Sequence, residues 1–588
     1  MRTRMFAHTS RMKSRRHGWC SVLSLMGLIA GCPGAEESPD AGLAEDASLT
    51  TTDAALDAPG LDAFGADAFA LDAPGADATL TDLDAPGLDA LGADARGPDA
   101  RRPPADVGTD THEHLGHRIT DFGAISGDGL DDTAAFVAAF AAGNEAFVPA
   151  GVFNVTRVVV PEGARLSGDE AGFVDLDPAT SGAGISLGAR TTMFGMTIRG
   201  SRARRHCIAA TGVANVLIDT VRLVDCGSDG LGGGGDEVRF GIHFDHVTMS
   251  RIARSIATGT RGRAIEIDFS SDIRINDNII VGGQHGIEYW GLDTAAPDLR
   301  QALRITMTGN QVRDIEGGCI WGAGGDTIVM DRNDVANCGD VGLDVESTIH
   351  ATITNNRVGA SLNGGITTFY ASRDVRIEDN VIDQSMGLLR GPGIQLKGTG
   401  TTSNVLIQRN TVTTRDFPAL GTDSASTETM TAPPDASDVL VSNNVFQSYG
   451  DVPTVRILDA PRFTFMNNEI RGEGLSGISL EGCDDARVEN NRITGTARVV
   501  PIGAYGGVFV YTHLPGYLSR RAVVQGNTIT GYAFSIHEDA WRDAASGSRF
   551  TNNIVETLRA RSLPGYTGMF TSNFSDAART VPVAPVFY

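Results

Sequence analysis

The feature that most constrains the fold is a pattern that returns about every 22 to 36 residues between Gly184 and Asn553. Its first half alternates apolar and polar residues and closes on Asn, as in IRINDNII, ATITNNRV and FTFMNNEI. Its second half is a short segment opened by a small residue, as in AIEID, GIEYW and GLDVE. Both halves have a period of two, which is typical of strands with one buried face. Because no helix-length pattern separates them, we expect a parallel β-solenoid with one repeat per coil.

An asparagine recurs where the first strand of each repeat ends. In a parallel coil each such residue lies directly above the previous one, about 4.8 Å away. Stacked side-chain amides can then hydrogen-bond to each other and to the backbone of the turn. We expect this ladder to be architecture and not a set of ligands. It consists of Asn278, Asn310, Asn333, Asn356, Asn380, Asn410, Asn444, Asn468, Asn491, Asn527 and Asn553.

The stretch before the repeats has a signature of its own. DFGAISGDGLDDTAAFVAAF, residues 121–140, is followed by EAFVPAGVFNV and VVVPEGARLSG. These motifs resemble the start of the rhamnogalacturonase/epimerase-like pectate lyase family, and the repeats resemble the pectin lyase-like superfamily. The resemblance implies an all-β fold, a single-stranded right-handed parallel β-helix with an N-terminal capping helix. Solenoids of this kind serve lyases, hydrolases, epimerases, phage tailspikes and adhesins, so the fold alone does not give the function.

The aspartates of this stretch are interpreted as a helix cap. Asp131 or Asp132 can accept hydrogen bonds from the free N–H groups of the helix that follows, and a negative charge suits that end. The helix would then cover the open end of the solenoid, which otherwise exposes a sheet edge. A calcium site built from Asp128, Asp131 and Asp132 is the alternative.

The first 31 residues predict export. A basic start precedes the apolar run CSVLSLMGLIAG, which is too short to span a bilayer and is typical of a signal peptide. The run ends in LIAGC, which resembles the lipobox of bacterial lipoproteins, with Cys32 as the residue that carries the lipid; a chance cysteine is the alternative. The pair Arg15–Arg16 leaves twin-arginine export open beside general secretion. We expect lipid anchoring to the bacterial outer membrane or cell surface, with no other membrane contact.

Residues 32–110 differ from the rest in composition. They repeat variants of LDAPG, in which closely spaced aspartates repel each other while Pro and Gly block helix and strand. This segment is therefore predicted to be a disordered tether, which leaves residues 111–588 as the β-helix domain. The formal net charge of the chain is −24, which argues against nucleic acid as a partner. We expect the domain to be a monomer.

Four of the seven cysteines recur in matching contexts. Cys207 and Cys226 lie in HCI…VDCGSDGL, and Cys319 and Cys338 lie in GCI…ANCGDVGL. In an exported protein, which meets an oxidising compartment, two local disulfides are one interpretation. Two pairs of buried thiols lining equivalent turns are the alternative. No Cys/His spacing typical of zinc occurs, and no metal site is assigned.

The candidate site lies on the outward positions of the strand that the small residue opens. Here carboxylates and aromatic residues recur over successive coils, and we expect their side chains to point to solvent. Exposed aromatic rings are platforms for sugar rings, so the column predicts a saccharide groove, with a solvated charged surface as the alternative. The predicted catalytic residues are Glu266, Glu288, Asp344, Glu346 and Lys397, and the predicted substrate-binding residues are Arg263, His285, Trp290, Trp321, Phe369 and Gln395.

Strand geometry gives a test of mechanism. Asp344 and Glu346 are two residues apart on one strand, so their α-carbons are about 6.6 Å apart. Glu288 and Asp344 are two coils apart, which separates their α-carbons by about 9.6 Å. Both values lie around the range of about 6.5–9.5 Å that inverting glycosidases need between acid and base. Glu266 and Glu288 are one coil apart, so that one pKa rises or the pair binds a cation such as calcium.

A lyase or epimerase has other needs. It requires a base beside a uronic carboxylate and a cation that neutralises that carboxylate, parts that Lys397, Arg263 and His285 could take. FGIHFDH, residues 240–246, faintly resembles a motif of alginate epimerases, but we place it on the other strand of the repeat. We therefore expect a surface polysaccharide lyase or glycoside hydrolase, with a non-catalytic glycan-binding or adhesin-like protein as the alternative. A neutral glycan, or calcium bridging, suits the acidic face better than a bare polyuronate.

Overall fold

The structure, a computed structural model, describes only part of the chain. The described residues are 116–177, 182–200, 205–227, 239–292, 299–397, 400–423, 434, 436–496, 506–511, 519–539, 546–560 and 566–587. The chain divides into two units, Met1–Val107 and Gly108–Tyr588, and all described residues belong to the second. The predicted signal peptide, the lipid site at Cys32 and the tether lie outside them. Over the described ranges, no helix combines the length and apolarity needed to cross a membrane.

One α-helix, α1 (Thr133–Ala142), closes the N-terminal end of the described domain, after a 3₁₀ helix at Ile119–Phe122. Its Phe136, Ala139 and Phe140 are buried. The cap is divided between two aspartates. Asp131 accepts a hydrogen bond from the Thr133 N–H at 3.0 Å, as predicted for the first turn. Asp132 instead accepts the N–H groups of Ile125 and Asn154, each at 3.1 Å, and so ties the loop before the helix to the first coil.

The remaining described elements are strands, numbered β1–β49 in chain order, and the strands of successive coils pair in parallel. One sheet contains β1 (His117–Arg118), β2 (Glu145–Val148), β5 (Arg165–Gly168), β8 (Thr192–Phe194), β11 (Leu217–Asp219), β14 (Thr248–Ala253), β16 (Ser271–Asn276), β18 (Ala302–Thr308), β21 (Gly325–Asp331), β24 (Ile349–Thr354), β27 (Arg373–Glu378), β30 (Thr402–Gln408), β33 (Ala436–Ser442), β36 (Phe463–Met466), β39 (Arg487–Glu489), β42 (Val523–Gln525), β45 (Arg549–Thr551) and β48 (Met569–Thr571).

The second, larger sheet carries the candidate site. It contains β3 (Gly151–Val155), β4 (Val158–Val160), β6 (Gly172–Leu176), β7 (Gly182–Leu187), β9 (Thr197–Arg199), β10 (Arg205–Thr211), β12 (Arg222–Val224), β13 (Ile242–Asp245), β15 (Ile256–Asp268), β17 (Ile279–Trp290), β19 (Gln311–Ile315), β20 (Ile320–Ala323), β22 (Asp334–Cys338), β23 (Val341–Glu346), β25 (Arg357–Val358), β26 (Gly364–Phe369), β28 (Val381–Gln384), β29 (Ile394–Lys397), β31 (Thr411–Arg415), β32 (Leu420–Asp423), β34 (Val445–Tyr449), β35 (Val455–Leu458), β37 (Glu469–Gly472), β38 (Ile478–Glu481), β40 (Arg492–Thr494), β41 (Val508–Tyr511), β43 (Thr528–Thr530), β44 (Ile536–Asp539), β46 (Ile554–Val555), β47 (Leu558–Ala560) and β49 (Val586–Phe587).

The asparagine ladder is present along the coils, and each predicted member is buried. Asn333 shows the pattern: its backbone N–H and its Nδ2 both donate to the Asn356 Oδ1, at 2.8 and 3.0 Å. Its Nδ2 also donates to the Met307 carbonyl oxygen at 2.9 Å. The ladder extends one step beyond the prediction, because Asn553 donates to Asn573 in the same way. Each rung therefore satisfies the backbone of its own turn and fixes the register of the next coil.

Both cysteine pairs are disulfides, Cys207–Cys226 and Cys319–Cys338, and Cys483 is a buried free thiol. The second disulfide joins Cys319, the residue before β20, to Cys338, the last residue of β22. Cys338 lies shortly before β23, the strand that pairs with β20 in the larger sheet. The second disulfide therefore lies at the edge of the candidate site.

Register in the larger sheet sets which side chains are neighbours. One position carries His243, Glu266, Glu288, Trp321, Asp344, Thr367 and Gln395 in successive coils. The position two residues later carries Asp245, Asp268, Trp290, Ala323, Glu346, Phe369 and Lys397. The expectation that FGIHFDH lies on the other strand is wrong, because β13 holds this motif in register with Glu266.

Candidate functional site

The candidate residues share one face, but most are less exposed than the sequence predicts. Their apolar strand neighbours point inward as expected, yet the expectation that the whole outward column faces solvent is wrong. Glu346, Lys397, His285, Trp290 and Trp321 are partly exposed, whereas Arg263, Glu266, Glu288, Asp344, Phe369 and Gln395 are buried.

Three of the buried residues form a charge cluster. The Arg263 Nε lies 3.0 Å from the Glu266 Oε2 and also contacts the Glu288 Oε2. Burial raises the pKa of Glu288 to about 7, although Arg263 opposes the shift. Burial and the neighbouring Glu288 raise the pKa of Glu266 well above its ordinary value. One cation between two carboxyls therefore leaves this Arg263 cluster with a bound proton near neutral pH, and it is closed to solvent.

A pocket of about 320 Å³ opens two coils further along the same face. It combines carboxyl groups, an amide, aromatic rings and one lysine. Its lining residues are Trp321, Asp340, Val341, Asp344, Glu346, Asn363, Phe369, Tyr370 and Lys397. We call it the Asp344 pocket. Five of the predicted site residues line it, whereas Glu266, Glu288, Trp290, Gln395, Arg263 and His285 do not.

The carboxyl groups of the Asp344 pocket hold protons unusually strongly. Burial, with Glu346 close by, raises the pKa of Asp344 well above its ordinary value, and burial raises the pKa of Glu346 to about 7. The two carboxyls shift each other's pKa, so they bind and release protons as an interacting pair. Burial also raises the pKa of Asp340, while Asn363 and Lys397 oppose that shift.

That interaction bears on the mechanistic argument made from strand spacing. Asp344 and Glu346 occupy the expected positions, two residues apart on β23. Two carboxyls that shift each other's pKa can act together as one acid or base near neutral pH.

His285 and Trp290 are held by hydrogen bonds outside the pocket lining. The His285 Nδ1 accepts the Trp321 Nε1–H at 3.1 Å, and burial together with Arg263 lowers the pKa of His285 to about 4. His285 is therefore neutral near pH 7. The Trp290 Nε1 donates to the Leu292 carbonyl oxygen at 3.1 Å.

Three lining residues, Asp340, Asn363 and Tyr370, were missed because they lie in turns beside the strands. The Asn363 N–H donates to the Asp340 carbonyl oxygen at 2.9 Å, so these two turn residues are neighbours in successive coils. CGDVGL and LNGGIT place a polar residue shortly before an alternating strand, and this is the signal that could have found them.

No metal centre is evident in the described ranges, where no group of three or more His, Cys, Asp or Glu side chains is arranged to hold an ion. In the alternative calcium site, the carboxylates bond to backbone N–H groups: Asp128 accepts from Leu130, Asp131 from Thr133, and Asp132 from Ile125. These contacts suit the capping interpretation.

Comparison with known proteins supports the architecture. Residues 294–412 and 434–572 match the family described as right handed beta helix region. Among solved structures, the mannuronan C-5 epimerase AlgE6 A-module of Azotobacter vinelandii is 14% identical over 80% of this chain and 99% of its own, with a TM-score of 0.28. The surface protein and adhesin PfbA of Streptococcus pneumoniae is 12% identical over 78% of this chain and 100% of its own, with a TM-score of 0.34.

No curated protein matches the chain significantly. The two structural similarities are too low to carry a functional argument. The matched family and the parallel coil-to-coil pairing of the larger sheet identify the described part of this chain as a right-handed parallel β-helix.

Proposed function

We propose that this protein binds an extracellular polysaccharide in the Asp344 pocket and cleaves it, as a lyase or glycoside hydrolase. The observation that carries the proposal is the pocket itself, which joins Asp344 and Glu346, two carboxyls with raised pKa values, to aromatic walls. Flat apolar rings with polar edges nearby suit a sugar ring, and a carboxyl with a pKa of about 7 suits proton transfer at neutral pH.

In the proposed reaction the Asp344–Glu346 pair gives or takes one proton at the bond that breaks. Trp321, Phe369 and Tyr370 orient the sugar, and Lys397 contributes positive charge at the same pocket. Because the raised pKa values of Asp344 and Glu346 keep protons on this pair near neutral pH, the pocket carries less negative charge than three ionised carboxylates would. A neutral glycan remains the substrate class that we propose, with calcium bridging as the route for an anionic one.

The test is a panel of neutral and acidic polysaccharides incubated with the full-length protein. New reducing ends report hydrolysis or elimination, and ultraviolet absorbance of unsaturated products reports elimination alone. Asp344→Asn and Glu346→Gln should each lower turnover by about 10²–10⁴-fold. The control is Asp334→Asn, since Asp334 is paired with Arg313 on the surface and does not line the pocket. Full activity in both pocket variants would refute the assignment.

The second candidate is a non-catalytic glycan-binding or adhesin-like protein. The burial of Asp344 favours it, since a buried carboxyl is poorly placed to reach the bond that would break in a substrate. It predicts no turnover in the parent protein. Glycan affinity should then fall in Trp321→Ala and change little in Asp344→Asn.

We further propose that the protein is exported and lipid-anchored through Cys32, with residues 32–110 as a tether and a monomeric domain at its end. The support is the sequence pattern alone. Cys32→Ala should abolish labelling by a fatty-acid analogue and release the protein from the membrane fraction. Unchanged membrane association would exclude the anchor.

A further inference from the structure

Trp321 is held from behind by a neutral histidine. The His285 Nδ1 accepts two hydrogen bonds, from the Trp321 Nε1–H at 3.1 Å and from the Gly318 backbone N–H at 3.2 Å. The two rings lie 5.4 Å apart at an angle of 43°. Because Nδ1 is the acceptor, the ring proton of His285 belongs on Nε2. His285 thus fixes both the indole edge and the turn in front of it.

The turn at Gly317 and Gly318 leaves room only for hydrogen at both positions. A Cβ at residue 317 would lie 2.6 Å from the His285 Cε1, and a Cβ at residue 318 would lie 2.7 Å from the Trp321 Cδ1. Neither atom is the free end of a flexible side chain, since both belong to rings that are hydrogen-bonded to each other. The two glycines therefore allow the imidazole and the indole to pack under the turn.

The same turn is tied to the opposite part of the pocket. The Asp340 N–H donates to the Gly317 carbonyl oxygen at 3.1 Å. Cys319, the residue after Gly318, is disulfide-bonded to Cys338, two residues before Asp340. Trp321 and Asp340, which both line the Asp344 pocket, are thus fixed relative to one another by a backbone hydrogen bond and a covalent bridge.

The charges around His285 favour its neutral form. Arg263 lies in register with His285 in the preceding coil, and its own carboxyl partners are Glu266 and Glu288. Burial and this arginine lower the pKa of His285 to about 4. The acceptor lone pair is therefore available throughout the neutral range.

We propose that His285 is a positioning residue that locks Trp321 as a rigid wall of the Asp344 pocket, and so sets affinity for the glycan without taking part in proton transfer. The glycan part rests on the proposed function, whereas the lock itself does not. A single hydrogen bond of this kind contributes about 0.5–1.5 kcal/mol, which corresponds to about a 2- to 10-fold loss of affinity when it is removed.

The first experiment measures the lock in the absence of any glycan. In the full-length parent labelled with ¹⁵N-tryptophan, the indole N–H signal that disappears in Trp321→Phe belongs to Trp321. That proton should exchange with solvent slowly. Exchange as fast as for a free indole would overturn the proposal, and this measurement needs no variant of His285.

The second experiment uses two substitutions of His285. His285→Leu removes the acceptor, so acrylamide should quench the Trp321 fluorescence more strongly, with the Trp321→Phe spectrum subtracted as background. His285→Asn places an amide oxygen near the former Nδ1 and should restore the parent quenching. Equal quenching in the parent and in His285→Leu, with both folded by circular dichroism, would overturn the lock, and so would a failure of His285→Asn to restore it.

The third experiment separates positioning from catalysis. With a glycan that the parent cleaves, His285→Leu should raise KM by about 2- to 10-fold and leave kcat unchanged. A fall in kcat at constant KM would overturn the positioning role. If no glycan of the panel is cleaved or bound, the proposed function fails, while the exchange and quenching measurements still decide whether His285 holds Trp321.

Discussion

The Arg263 cluster and the Asp344 pocket contain the same kind of residues on the same strand positions. The first is a buried ion-pair cluster, whereas the second is an open pocket. Glu288 and Asp344 share one register position two coils apart. In the first region, an irregularity in the pairing of β15 and β17 falls between Thr260 and Arg263, and the guanidinium lies against both glutamates. In the second, the only cation among the lining residues is Lys397, and the space stays open. A column of carboxylates is therefore structural where an arginine fills it and a candidate site where a pocket remains.

The largest effect on stability should come from removing the cation of the Arg263 cluster. Arg263→Met leaves Glu266 and Glu288 buried without a partner, which should lower the free energy of unfolding by about 3–5 kcal/mol. Urea denaturation at pH 7 measures it. Lys397→Met is the matched control in the Asp344 pocket. It should lower the free energy of unfolding by less than about 1 kcal/mol, because Lys397 is partly exposed. Equal losses in the two variants would remove the distinction between the regions.

A smaller loss is expected where polar groups are buried without charge. Asn356→Leu breaks one rung of the ladder and leaves the Asn333 amide without its Oδ1 acceptor. We expect about 1–3 kcal/mol of destabilisation in urea denaturation. Thr352→Leu is the control, on the outward side of the same strand β24 and partly exposed, and it should stay within about 0.5 kcal/mol of the parent. A neutral Asn356→Leu would show that the ladder does not contribute to stability.

The sequence was sufficient to predict the architecture because the same strand and turn pattern recurs in many coils. The alternation, the asparagine at each turn and the paired cysteines all depend on local spacing, and the structure contains the ladder and both disulfides. It was also sufficient to place Trp321 and Asp344 on one face. It was not sufficient for exposure, since alternation shows only which side of a sheet a residue occupies. Whether Arg263 lies over Glu288, or Asp340 reaches the pocket from a turn, depends on side-chain paths that have no period.

A third prediction uses the pH dependence of stability to test the raised pKa of Glu346 in the Asp344 pocket. The folded-state pKa of Glu346 is raised to about 7, whereas the ordinary pKa of a glutamate in the unfolded chain is 4.5. Between these two pH values the folded protein binds a proton that the unfolded chain has released. This contribution to stability is fully present below about pH 4.5 and is lost as pH rises through about 7. Glu346→Gln, which mimics the protonated acid, should match the parent Tm near pH 4.5 and exceed it at pH 8. The gain in the free energy of unfolding at pH 8 should be about 1–2 kcal/mol. It stays below the full value of the Glu346 pKa shift because Asp344 can bind a proton in the place of Glu346.

Asp334→Asn is the control for this pH dependence. Asp334 is paired with Arg313 on the surface, so this variant should not gain Tm over the parent between pH 4.5 and pH 8. A parallel pair of Tm curves for Glu346→Gln and the parent would mean that Glu346 titrates like an ordinary surface glutamate. The description of the Asp344 pocket by a raised Glu346 pKa would then be wrong.

The smallest effect is expected from the largest number of carboxylates. If residues 32–110 are the acidic tether that their sequence predicts, their charges stay in water and take part in no core. Deleting residues 33–110 should therefore leave the Tm of the folded domain unchanged, as measured by calorimetry in moderate salt. Deleting residues 116–142 instead removes helix α1 and exposes the apolar end of the first coil, and this should lower Tm clearly. A clear fall in Tm after the tether deletion would show that the acidic segment packs on the domain. Its carboxylates would then have to be counted with those of Glu288 and Asp344, whose importance follows from burial and not from number.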